Sequence, residues 1–226
     1  MYRSFLTFAV LLACGCTPRV QTAPSTVFAP PEDEHVCCIV FDLSGSFTQH
    51  MIDGGAAYEF ALQVIDRYFR DRIGTRDKIV IAQISAADRF LLWHGTPQEL
   101  RQQFPSADDF RTFLSQHADP AGSRVFDGVS QAVRYVLTEP AVVAGAKPAV
   151  FVLSDLLDTS PDVEECLNRT KDALKELGEK DGTIGFYYVA HDLVSDWRAW
   201  LQTTGVRHSV VTSEIVATPE LPSWDL

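Results

Sequence analysis

The 226-residue sequence has no apolar run of the ~18–20 residues that a membrane-spanning helix needs, so its body does not read as a transmembrane protein. It also lacks an excess of positive charge. Lys and Arg number 19 against 30 Asp and Glu, a net charge of −11. Such a chain repels a phosphate backbone, which excludes nucleic acid as an expected partner. Cysteine is sparse, five in all, and no CxxC or Cys/His spacing suggests zinc. There is no GxSxG elbow, no HExxH and no phosphate-cradling GxxxxGK. Internal repeats and low-complexity tracts are absent, and 13 Gly and 12 Pro are ordinary usage. What is present is 46% hydrophobic and 22% charged residues, too apolar for a disordered chain. That is the profile of one globular domain with extra tail.

The N-terminal stretch MYRSFLTFAVLLACGC couples a basic residue, Arg3, to a short apolar segment, Phe5–Leu12. This is the layout of a secretory signal. Its end, Leu11-Leu12-Ala13-Cys14, resembles a bacterial lipobox, which implies cleavage before Cys14 and lipidation of that residue. Cys16 is an alternative site, and an ordinary signal peptide cut nearby is another. Gly follows Cys14, which in a Gram-negative cell implies the outer membrane. From Thr17 to Glu34 the chain is rich in Pro, Thr and acid, without periodicity, as a flexible tether would be. The expected organisation is a lipoprotein signal peptide over 1–13, a lipidated Cys14 and tether over 14–34, and a domain with a short C-terminal tail over 35–226. The expected location is the bacterial cell envelope, on the periplasmic side of the outer membrane. Cys37 and Cys38 are neighbours in an apolar strand and point to opposite faces, so they read as buried free thiols.

The body alternates two periodicities. Val36–Phe41 (VCCIVF), Lys78–Ile84 (KIVIAQI) and Pro148–Leu153 (PAVFVL) are continuous apolar runs of strand length. Phe90–Trp93, Thr183–Ala190 and His208–Thr212 read as further strands. Helical stripes run from Ala57 to Ile73, closed by Gly74, and from Arg124 to Leu137. Another opens at Pro161, with Val163, Cys166, Leu167, Leu174 and Leu177 expected to face inward, and a last one spans Ser195–Thr204. Capping boxes at Thr96 and Ser106 predict two short helices between. Strands apolar on both faces, alternating with helices, predict an α/β fold: a doubly wound, mostly parallel sheet with helices on both faces. Ligands of such sheets bind outside the carboxyl ends of the strands.

Three candidate loops lie at that end. Asp42-Leu43-Ser44-Gly45-Ser46 follows the first strand, Asp155 follows the PAVFVL strand, and Gly122-Ser123 stands at a helix start. Together they offer two carboxylates and three hydroxyls, without His or Cys. A hard, oxygen-only set of low charge suits Mg²⁺ or Mn²⁺ carrying several waters.

From about His35 to about Thr212 the chain resembles a von Willebrand factor A (vWA) domain. Asp42-Leu43-Ser44-Gly45-Ser46 matches the DxSxS of that family's metal-ion-dependent adhesion site, and Arg76-Asp77-Lys78-Ile79-Val80 resembles its approach to the second strand. The resemblance implies Ser44 and Ser46 as direct ligands, with Asp42 and Asp155 acting mainly through water. The family usually supplies a Thr from its second loop. Here Gly122-Ser123-Arg124-Val125 stands in that place, so the role passes to Ser123. Arg124 beside the metal would weaken cation binding or serve a ligand carboxylate. The implied function is non-enzymatic: metal-dependent protein–protein contact, in which a partner's Asp or Glu completes the cation's shell.

Three alternatives stand beside this. Asp42 and the serines could simply cap a loop, with no metal. The protein could be a metal-dependent phosphoryl hydrolase with Asp42 as nucleophile, although Ser44 stands where a second acid would be expected. It could also be a structural lipoprotein that binds through another surface. His50, His94, His117, His191 and His208 have no ligand spacing, and Trp93, Trp197 and Trp200 read as packing residues. Asp158, near Asp155, reads as a helix-start residue before Pro161 or as a group that tunes the site, and Gly54-Gly55 as the turn before a helix or a mobile loop beside the metal.

Overall fold

The computed structural model describes residues 35–45, 47–52, 55–72, 76–84, 89–119, 122–216 and 218–221. All fall within one compact unit, Pro31–Leu226. The signal peptide, Cys14, Cys16 and the tether over 14–34 lie outside the described residues.

Six strands are present: β1 (His35–Asp42), β2 (Lys78–Ile84), β3 (Leu91–Gly95), β4 (Lys147–Leu153), β5 (Thr183–Val189) and β6 (His208–Ser213). They form one sheet in the order β3-β2-β1-β4-β5-β6. β1 lies parallel between β2 and β4, in the register Ile39↔Ile81 and Ile39↔Phe151. β5 and β6 extend the parallel run. β3 alone is antiparallel. The reason is chain length: six residues between β2 and β3 cannot make the dozen-residue crossover that parallel pairing requires. Every residue of β1 after His35 is buried, as a central strand demands, whereas the edge strand β3 is only partly covered. The expected fold class is therefore the one found.

The helices are α1 (Thr48–Ile52), α2 (Ala56–Arg72), α3 (Pro97–Gln103), α4 (Ala107–Ser115), α5 (Val125–Thr138), α6 (Pro140–Val143), α7 (Val163–Glu179) and α8 (Val194–Leu201). Strand alternation splits the core in two. Val36, Cys38 and Val40 face α5, α7 and α8, in a core built largely of Val, Leu and Ala. Cys37, Ile39 and Phe41 face α2, α3 and α4, among Tyr58, Phe60, Tyr68, Phe110 and Tyr187. Gly128 lets α5 lie close on β2, since a Cβ there would come within 2.9 Å of Ile84 Cγ1. Cys37, Cys38 and Cys166 are free and buried. Burial pushes the Cys37 and Cys38 thiols well above their ordinary range.

Both capping boxes form. The Glu99 amide donates to Thr96 Oγ1 at 3.2 Å and the Thr96 amide to Glu99 Oε2 at 2.7 Å. The Asp109 amide donates to Ser106 Oγ at 3.2 Å and the Ser106 amide to Asp109 Oδ2 at 3.1 Å.

Some expectations are corrected. Pro161 lies in a turn before α7 rather than opening it. Val163 is 40% exposed instead of inward, because the buried stripe of α7 begins only at Cys166 and the first turn lies off the core. β3 starts at Leu91 and runs on to Gly95, and α8 ends at Leu201. The short helices α1 and α6 were not expected, being too short to show a period.

Candidate functional site at the carboxyl ends of β1 and β4

The chain leaves β1 toward β2 and β3 on one side and later fills the other side with β4, β5 and β6. The crevice between the carboxyl ends of β1 and β4 is thus the point where strand order reverses, where open α/β sheets bind ligands. Asp42 is the last residue of β1, and Ser154 and Asp155 directly follow β4.

Asp42 is fully buried. Its Oδ1 accepts from the Ser44 amide at 3.0 Å. Its Oδ2 accepts from Ser154 Oγ at 2.5 Å and, more weakly, from Ser123 Oγ at 3.5 Å. Burial pushes the Asp42 carboxyl above the usual aspartate range. The bonds from Ser154 and Ser44 oppose that rise, and the charge of Asp155 adds to it.

Ser44 is 1% exposed, and its Oγ has no hydrogen-bond partner among the described residues. Its carbonyl accepts from the Thr48 amide at 2.9 Å and from Thr48 Oγ1 at 2.5 Å, which starts α1. Ser44 also bridges Asp119 in parallel, with the Asp119 amide donating to the Leu43 carbonyl at 2.9 Å. The second serine of the motif, Ser46, lies outside the described residues.

Asp155 is 8% exposed. Its Oδ1 accepts from the Leu157 amide at 3.0 Å, and its carbonyl accepts from Ala190 at 2.9 Å. Leu156 follows with φ +62°, a left-handed conformation that costs a non-glycine residue roughly 1–2 kcal/mol. Its side chain is buried in the core, and its amide donates to Ser154 Oγ at 2.9 Å, which holds it there. Backbone strain of this kind collects at functional sites.

Ser123 is 3% exposed at the entrance to α5. Its amide donates to Thr159 Oγ1 at 3.0 Å, and its carbonyl accepts from the Thr159 hydroxyl at 2.9 Å and the Thr159 amide at 2.8 Å. Gly122, at φ +148°, is required beside it: a Cβ there would sit 2.9 Å from Thr159 Oγ1. Asp158 does serve a helix start, but that of α5 and not of α7. Its Oδ2 accepts from the Phe126 amide at 2.8 Å, and its Oδ1 accepts from Ser160 at 2.6 Å.

The structure therefore brings Asp42, Ser44, Ser123 and Asp155 to one end of the sheet, as expected. Sequence reasoning missed Ser154 and Thr159. Ser154 carried a signal, a hydroxyl next to Asp155 at a strand end. Thr159 carried none, since its partner is 36 residues away. Gly55 is the turn before α2, its carbonyl accepting from Glu59, while Gly54 lies outside the described residues.

Among the described residues no three His, Cys, Asp or Glu side chains cluster so as to hold a metal. A cation here would rest on two carboxylates and hydroxyls. The fit is tested by Ser44: a buried hydroxyl oxygen without a partner costs roughly 1–3 kcal/mol, and it sits beside a buried acid. A hard divalent cation would answer both, so the residues present suit such an ion.

Neither a protein-family model nor a curated protein matches the sequence. Solved structures do match in fold. One is the pilus adhesin SpaC from Lactobacillus rhamnosus GG in its open conformation. It has a TM-score of 0.56 at 11% identity, over 82% of this chain and 28% of that one. Another is proximal thread matrix protein 1 from the mussel byssus. It has a TM-score of 0.53 at 11% identity, over 81% of this chain and 44% of that one. This chain thus spans less than half the length of either protein, and the likeness is one of fold: a six-stranded, mostly parallel α/β sheet.

Proposed function

We propose that the domain is a vWA-like docking module that captures a partner protein through a divalent cation, without enzymatic activity. Asp42, Ser44, Ser46, Ser123 and Asp155 would hold Mg²⁺ or Mn²⁺. The observation that carries this reading is the buried Oγ of Ser44, which has no hydrogen-bond partner among the described residues and lies next to the buried Asp42. Hydroxyl ligands neutralise little charge, so the bound cation would demand one further anionic oxygen, which an Asp or Glu of a partner supplies. That is also how a chain of net charge −11 would bind an acidic side chain. The burial of Asp42, and its engagement by Ser44, Ser154 and Ser123, favour this over a phosphoryl hydrolase, whose nucleophile must reach its substrate.

The same reading places the domain on the periplasmic side of the outer membrane, held by lipid on Cys14. Replacing Cys14 with Ser should abolish incorporation of labelled fatty acid. The docking role is tested by capturing envelope proteins on the immobilised protein in Mg²⁺ and in EDTA. The expected result is a partner retained only in Mg²⁺ and lost with Ser44→Ala and with Asp155→Ala. Equal retention by both variants in Mg²⁺ would overturn it.

A further inference from the structure

We infer that Thr159 is a positioning residue for the cation site, fixing the Ser123 oxygen relative to the Asp155 loop. The inference rests on the reading of the site as a metal centre. Ser123 and Asp155 reach the site from loops that are far apart in sequence, one leading into α5 and the other following β4. A cation held by both needs their spacing fixed, because Mg²⁺ tolerates little departure from octahedral geometry. Thr159 lies four residues after Asp155 on the same loop and grips Ser123 three times. Its hydroxyl accepts from the Ser123 amide at 3.0 Å and donates to the Ser123 carbonyl at 2.9 Å, while its own amide donates to that carbonyl at 2.8 Å. Both backbone polar groups of Ser123 are thereby committed to one side chain and one amide of the other loop.

Two neighbouring contacts serve the same joint. Asp158 accepts from the Phe126 amide at 2.8 Å, tying the first turn of α5 to that loop. Gly122 leaves the space that Thr159 Oγ1 occupies, since any Cβ there would stand 2.9 Å from it. The contacts of the Thr159 hydroxyl are with the backbone of Ser123, which it both accepts from and donates to. It acts through Ser123, as groups behind metal ligands do when they hold the ligand in place.

The test is Mn²⁺ affinity, measured by calorimetry on the whole protein, for wild type, Thr159→Val, Thr159→Ser, Ser123→Ala and the Ser123→Ala/Thr159→Val double variant. Thermal unfolding in EDTA is recorded alongside. Thr159→Val should bind Mn²⁺ about tenfold or more weakly, in line with the loss of groups that orient metal ligands. Thr159→Ser, which keeps the hydroxyl, should bind as wild type does. In the double variant, Thr159→Val should add no loss beyond that of Ser123→Ala, because both act through one oxygen. Should the valine variant not fold, Thr159→Ala removes the same hydroxyl from a smaller side chain. Wild-type affinity in Thr159→Val with a lowered EDTA melting temperature would make Thr159 a structural residue only and overturn the inference. Additive losses in the double variant would overturn it too. Absence of Mn²⁺ binding by the wild type would instead sink the metal-site reading on which it stands.

Discussion

Strand β1 meets a buried carboxylate at each of its ends, and the two ends are built differently. At the amino end Asp77, 1% exposed, stands just before β2 and accepts from the His35 amide at 2.9 Å. It straps together two strands that already pair, Val36 lying opposite Lys78. At the carboxyl end Asp42 gathers Ser44, Ser123 and Ser154 from three separate loops, with Asp155 next to them. Burial of an acid is therefore not by itself a mark of function in this fold. The mark is the convergence of groups from three separate loops on one carboxylate where strand order reverses. The amino end has the chemistry of a clasp, the carboxyl end that of a cation site.

Three substitutions would break or sharpen that contrast. The largest expected effect is at the clasp. Asp77→Ala should cost about 1–3 kcal/mol, the usual cost of a lost buried hydrogen-bond partner, equally in EDTA and in Mg²⁺. Urea unfolding in both buffers checks it, and a Mg²⁺-dependent loss would erase the distinction between the ends. Next is the pH response of Asp42 in metal-free protein. Its folded-state pKa is raised by burial, so folding favours the protonated form. That contribution is present at low pH and is lost as pH rises from the ordinary aspartate value of 3.8 through the raised one. Relative to Asp42→Asn, the wild type in EDTA should therefore lose stability across that window, by up to about 1.4 kcal/mol per pH unit. Parallel stability curves for the two proteins would contradict it. The smallest effect is Ser44→Ala in EDTA, expected to leave stability unchanged or to raise it by up to about 1 kcal/mol, because it removes a buried hydroxyl that has no hydrogen-bond partner among the described residues.

Much of this architecture was legible in the sequence for identifiable reasons. The runs VCCIVF, KIVIAQI and PAVFVL are apolar on both faces, which only a strand covered on both sides tolerates, and they became β1, β2 and β4. Thr96 and Ser106 carry their capping partners three residues on, so both helix starts could be read locally. Asp42 and Asp155 were found because they follow strands, and the end of a strand is where such sheets bind ligands. What was not legible depends on distance in sequence. No local pattern says that Thr159 holds Ser123, or that Asp158 caps α5 from another loop. Val163 has the right residue type and spacing for an inward position, but the first turn of α7 lies off the core. Ser154 was overlooked beside Asp155, although its hydroxyl makes the shortest bond to Asp42.

The most direct test of the account is thermal unfolding of the purified protein in EDTA and in millimolar Mg²⁺ or Mn²⁺, for wild type and Ser44→Ala. A ligand that binds only the folded state must stabilise it, by about 2.7 kcal/mol at a hundredfold excess over Kd. For a domain of this size that is a rise of roughly 5–10 °C. The account predicts such a rise in wild type and none in Ser44→Ala, with the variant melting no lower than wild type in EDTA. Identical melting of wild type with and without the cation, at concentrations up to tens of millimolar, would contradict it.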